Sequence, residues 1–184
     1  MRTAALGLLA PAEFSNPSQV YIADLTQAKK TTGTPNTWTT ASQLQSLTES
    51  ALAAGASGIA VAQGAHSGVV SGEFGGDEIT AIALPKKSGS GTPAITDWVS
   101  CNIGNGFSNG FDPHTLTAYE SPNSGHAIAV LTNGTATQLA VVDLTAMLDS
   151  TTVPRTSGSG LGHACATRPL PSSVVSFVDI PATS

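Results

Sequence analysis

Only 10% of the 184 residues are charged, and seven Lys and Arg stand against twelve Asp and Glu for a net charge of −5. So few scattered cations cannot form the basic stripe that phosphate neutralisation demands, which argues against a nucleic-acid partner. No apolar run is long enough for a transmembrane helix, while nineteen Gly, eleven Pro and abundant Ser and Thr suit short strands joined by tight turns.

Taken in chain order, the first segment has two readings. Met1-Arg2 followed by Ala4 to Ala12 has the basic start, apolar stretch and Ala-x-Ala ending of a signal peptide, or its remnant. Leu6 to Ala10 also fall where a repeat wants a strand, and the strand reading is preferred. That repeat is plain further on. Val20–Thr26, Ile79–Pro85, Leu139–Thr145 and Val175–Pro181 share one apolar pattern that ends in Leu or Ile followed by Thr or Pro. His66 and His126 each stand 17 positions before the equivalent residues Ala83 and Asp143, and His163 stands 16 before Asp179. Each histidine opens a second apolar stretch, so the repeating unit is a pair of strands and its turn. The first copy fits less closely, with Gly7 in the place of a histidine 17 positions before Asp24. Self-similarity of this kind marks a supersecondary unit that is stacked or arranged radially.

Between the first two copies, Ala41 to Ala54 puts Leu44, Leu47, Ala51 and Leu52 on one helical face, with Thr40 as a cap and Gly55 as a stop, and predicts an inserted helix. The second copy predicts four strands, at 58–62, 67–72, 79–84 and 94–101, separated by turn chemistry at Gln63–His66, Gly75-Gly76 and Ser88–Pro93. The third predicts strands at 115–119, 126–131 and 138–144, a further turn or two of helix at Ala146–Asp149, and a fourth strand placed only around Thr152–Thr156. The last copy is abbreviated, with 36 residues from Asp143 to Asp179 against 60 from Ala83 to Asp143. Four short antiparallel strands make one propeller blade. The expected fold class is therefore all-β, a partial β-propeller of four-stranded antiparallel blades with a short inserted helix. It forms one incomplete domain over 1–184, with copies near 4–39, 58–101, 115–156 and 163–181 and the helix at 41–54.

Gly72-Glu-Phe-Gly-Gly76, Asp112-Pro-His-Thr-Leu-Thr-Ala-Tyr119, Gly125-His-Ala-Ile-Ala-Val130 and Leu139–Thr145 resemble the repeats of secreted bacterial β-propellers of the YVTN/NHL type, over most of residues 55–184. The resemblance implies an architecture and an extracellular or periplasmic location more than a chemistry, because that family contains lactonases, surface-layer-like proteins and scaffolds. Closed rings of this type commonly need about six to eight blades, and this chain holds about three. It therefore reads as the carboxy-terminal part of a larger propeller or as a protomer that self-associates.

Residues that carry chemistry are few. His66, His126 and His163 recur at matching positions, where a radial array brings ligands towards an axis. Recurrence is also what a structural role predicts, a histidine that caps a turn in every blade, and that reading is preferred. His114, beside Asp112, is the better functional candidate. Glu73, Asp77 and Glu78 surround a glycine turn but lack the alternating spacing of a calcium loop, and read as a solvated hairpin tip. Asp24, Asp143 and Asp179 recur near strand ends, which points to Asx-type turns. Trp38, Trp98, Phe74, Phe107, Phe111 and Tyr119 suit either a groove or packing between blades, and packing is the commoner use. Cys101 and Cys165 are two buried thiols or a disulfide linking neighbouring blades. No nucleophile elbow, phosphate loop or dinucleotide fingerprint is present. Two functions follow. The first is a non-catalytic scaffold that binds a protein or glycan through the polar loop bearing Asn102, Asn105, Phe107 and Asn109. The second is a lactonase-like hydrolase with catalytic His114, Asp112 and Glu73, in which His66, His114 and Asp112 hold a divalent cation such as calcium or zinc.

Overall fold

A computed structural model describes residues 6–9, 19–24, 44–48, 56–62, 67–72, 78–84, 97–103, 113–133, 138–156, 163–166 and 170–181, and these are mostly β. Three sheets follow one another along the chain. The first is an antiparallel meander of β1 (Leu6–Leu9), β2 (Gln19–Asp24) and β3 (Leu44–Thr48). Strand β3 corrects the helix expected over 41–54. Leu44 to Thr48 pair with β2 from Ala23 back to Gln19, satisfying an edge that would otherwise carry unpaired amides and carbonyls. Ser46 and Thr48 are weak helix formers, so local preference yields to that pairing.

The second sheet is built from β4 (Ala56–Val61), β5 (Ser67–Gly72), β6 (Glu78–Ala83) and β7 (Asp97–Asn102), each antiparallel to the one before. These are the four strands that alternation and turn residues mark in the second copy. The third sheet comprises β8 (Pro113–Glu120), β9 (Ala127–Asn133) and β10 (Gln138–Asp143), followed at once by the helix α1 (Leu144–Leu148). In the β8–β9 turn, Gly125 adopts φ +67°, a left-handed conformation that favours glycine. The Gly125 amide there donates to Ser121 O at 2.8 Å.

The last copy does not form a blade of its own. Its two halves, β11 (His163–Ala164) and β12 (Val175–Asp179), join different sheets. β11 adds in parallel to the edge of β7, whereas β12 lies antiparallel to β10 and supplies the fourth strand of the third sheet. That fourth strand is not Thr152–Thr156, where Arg155 makes only an isolated bridge to Cys165. The β11 register pairs His163 with Val99 and Ala164 with Ser100. One residue further, the same offset sets Cys165 opposite Cys101, and the two form a disulfide with Cα atoms 5.1 Å apart. The bond thus ties a segment to the second sheet itself. The Cys165 amide donates to Ser100 O at 2.9 Å beside it.

Packing follows the registers. Val69, Ile79, Ala81, Val99 and Cys101 share one face of the second sheet and form a single buried cluster with Ala129, Leu131, Ala140 and Val142 of the third. Leu144 and Met147 of α1 close the same cluster, and α1 lies against both sheets. On the other face of the second sheet Ile82 and Trp98 are also fully buried, and the hydroxyls of Thr80 and Ser100 satisfy one another at 2.9 Å. The first strands of the three sheets stand in a row, with β1 against β4 and β4 against β8.

Candidate functional site

Strand directions give the second and third sheets two rims. At one, β5 and β9 begin and β6 and β10 end. At the other, β7 ends and β8 and β10 begin. The first rim carries a polar network.

Its centre is Asp143, the last residue of β10 and the N-cap of α1. One carboxylate oxygen accepts from the Ala146 amide at 2.9 Å, which satisfies an amide that the first helical turn leaves without an intrahelical partner. The other lies 3.1 Å from His126 Nε2. In the β9–β10 hairpin Asp143 pairs with Ile128, so His126, two residues before Ile128, falls within reach of the carboxylate; in the second sheet Ala83 pairs with Ser67, and the same spacing of 17 sits in a register shifted by one. A histidine oriented by a carboxylate is half of a nucleophile-activating arrangement. Among the described residues no hydroxyl or thiol is bonded to the His126 ring. The nearby hydroxyls serve the backbone: Ser124 Oγ accepts from the His126 amide at 3.3 Å and Thr145 Oγ1 from the Ala127 amide at 2.8 Å. The network therefore fixes two turns and a helix start.

Beyond α1 the chain closes a second polar knot. Arg155 pairs with Asp97 at the start of β7 and donates to Leu148 O at 2.6 Å, joining the end of α1 to the second sheet. Its side chain is largely buried, and Nε has no acceptor among the described residues. Asp97 in turn accepts from the Trp98 amide at 2.9 Å. Asp149, the C-cap of α1, gathers the Thr151 amide and the Thr151 and Thr152 hydroxyls. These donors, the Thr151 amide first, hold the carboxyl of this exposed residue below the ordinary aspartate range.

The residues singled out from the sequence distribute unevenly. His114 lies in β8 and His163 in β11, while Asn102 ends β7, its carbonyl accepting from the Leu170 amide at 3.0 Å. His66, Glu73, Asp77, Asn105, Phe107, Asn109 and Asp112 lie outside the described residues, as do Trp38, Phe74 and Phe111. Of the recurring aspartates, Asp179 takes a hydrogen bond from the Gln138 amide group across the β10–β12 pair, so it does not share the capping role of Asp143. Trp98 is packed inside, whereas Tyr119 is 49% exposed. The Arg155–Asp97 pair escaped sequence reasoning, because nothing local links residues 58 apart. Among the described residues, no group of three or more His, Cys, Asp or Glu is placed to hold a metal ion. No helix there is long and apolar enough to cross a membrane.

No protein-family model matches the chain, and neither does any curated protein or solved structure.

Proposed function

We propose that the chain is a non-catalytic scaffold of the β-propeller type, acting outside the cytoplasm, that binds a protein or glycan partner through loops at the rim where β7 ends and β8 begins. The observation that carries this reading is the row of first strands, β1 beside β4 beside β8, each opening its own antiparallel meander. Radial arrays of sheets are built that way, and their loops gather at the rims as binding surfaces. Two further features favour it. The Cys101–Cys165 disulfide suits an oxidising compartment. The best-placed histidine and aspartate, His126 and Asp143, are engaged in holding turns. The hydrolase alternative asks Glu73 and His66 to serve one centre. Their chain neighbours Gly72 and Ser67 are the two ends of β5, a separation of about 17 Å at the ~3.3 Å rise of a strand.

The test replaces residues 104–109 by a Gly/Ser linker and measures retention on immobilised cell-envelope glycans and on envelope protein, with and without chelator. The scaffold reading expects retention that survives chelation and is lost in the replacement. A stoichiometric divalent ion after dialysis, together with lactone turnover abolished by chelator, would overturn it in favour of the hydrolase.

A further inference from the structure

Without β11, β7 would be the edge of the second sheet. Successive residues of a strand turn their amides and carbonyls to alternate sides. The side of β7 that faces away from β6 is closed at alternate residues by different groups. The Trp98 amide donates to the Asp97 carboxylate at 2.9 Å, the Ser100 carbonyl accepts from the Cys165 amide at 2.9 Å, and the Asn102 carbonyl accepts from the Leu170 amide at 3.0 Å. An open edge would offer the same groups to any extended chain that came near.

The middle closure is the one with least support of its own. Strand β11 is two residues long, and of the described side chains in 163–166 only Cys165 is buried, with Ala164 half-buried and Ala166 exposed. Some of the segment's backbone bonds do not reach the second sheet: the Ala166 amide donates to Pro154 O at 2.8 Å, and Ala164 O accepts from the Thr156 amide at 2.9 Å. What joins it to β7 is the short parallel pairing, the Cys165 amide bond and the covalent link to Cys101. A few hydrogen bonds offset the entropy of ordering residues 163–166 only in part, so the covalent link decides the balance. We infer that the Cys101–Cys165 bond is a redox latch on the edge of the second sheet: oxidised, it holds residues 163–165 on β7, and reduced, it lets them leave while the sheets stay folded.

The moving piece has a hinge. Arg155 pairs with Asp97 at the opposite end of β7 from Cys101, and it bridges to Cys165, so 154–156 and 164–166 swing together about that ion pair. Opening takes two electrons from a dithiol reductant. One of its thiolates attacks a sulfur of the bond, its second thiol displaces the mixed disulfide, and the reductant leaves as a cyclic disulfide while both of its thiol protons end on Cys101 and Cys165. Exchange with a disulfide oxidant reverses these steps. Closing therefore belongs to an oxidising compartment. The latch acts on a sheet edge and needs no ligand at the rim loops.

Thiol labelling of the folded, reduced chain tests it. The protein is reduced while unfolded, refolded under reductant, freed of it and exposed to iodoacetamide, with the rate in urea as the unprotected reference. Amide hydrogen exchange of β9 and β10 is followed in the same sample. With the latch open, Cys165 labels within about a hundredfold of its rate in urea, while the β9 and β10 amides keep at least about a thousandfold protection. Cys101→Ala, which leaves Cys165 as the single thiol, should label at the same rate, and oxidised glutathione should return the natural chain to the unlabelled form. Labelling slower than that hundredfold limit overturns the inference, because the segment then stays on β7 without its bond. So does rapid labelling accompanied by loss of protection in β9 and β10, which is unfolding of the whole chain.

Discussion

The Cys101–Cys165 bond closes a loop of 64 residues, and its removal should be among the costliest single changes in the chain. In the chain-entropy account, a cross-link stabilises by limiting the conformations of the unfolded state, and a loop of this length gives about 4 kcal/mol. Spread over a domain of this size, at roughly 2–4 °C per kcal/mol, that is a fall in melting temperature of about 10 °C. Both sulfurs are buried, with Cys101 at 2% and Cys165 at 3% exposure, so mild reductant should act slowly on the folded protein and quickly once urea opens it. The assay is urea unfolding of the oxidised chain, of the chain reduced while unfolded, and of the Cys101→Ala/Cys165→Ala variant. The reduced chain and the variant should agree to within about 1 kcal/mol, the allowance for two small packing changes. A loss below about 1 kcal/mol in both would refute the argument. It would mean that Arg155 on Asp97 and the Cys165 amide on Ser100 O hold the segment almost unaided.

Three further expectations are direct. Asp143→Ala should cost about 1 kcal/mol by urea midpoint and Asp143→Asn much less, because asparagine caps a helix nearly as well; equal losses would deny the capping role. The Asp149 carboxyl, depressed in the folded state, contributes stability above the unfolded aspartate range that disappears as pH falls through the folded value, below about pH 4. Carboxyl-carbon NMR should find its midpoint under 3.8, and a midpoint at or above that value contradicts the Thr151 and Thr152 bonding. Ile79→Ala should lose about 2–4 kcal/mol at a position with 0% exposure, against under ~0.5 kcal/mol for Val178→Ala at a position with 49% exposure; similar losses would undo the assignment of faces.

The second sheet was open to reading from residues alone, because Val69-Val70, Ile79–Leu84 and Trp98–Cys101 are β-prone runs bounded by glycine, proline and serine turns. What failed was pairing between distant segments. Leu44 and Leu47 suit a helical face as well as a strand, and only the open edge of β2 decides between them. Strand β11 is two residues long and carries no local signal; the parallel register and Cys165 create it. Val175–Asp179 was recognisable as a strand, but its partner β10 lies too far back for any pattern to name. The candidate site divides in the same way. The spacing of His126 and Asp143 was visible as a recurrence, while the contact between them, at a hairpin end that runs into a helix cap, needed three dimensions. Ala83 stands in the place of Asp143, so the second copy has no carboxylate there to meet its histidine.

The division of the late segment between two sheets bears on how the polypeptide emerges from the ribosome. Strands β7 and β10 leave the exit tunnel with bare outer sides, and the partners of both arrive in the same stretch, residues 163–179. At ordinary elongation rates that wait is on the order of seconds, long compared with the microseconds in which hairpins form. The two sheets consequently mature together, in one closing event of the nascent chain.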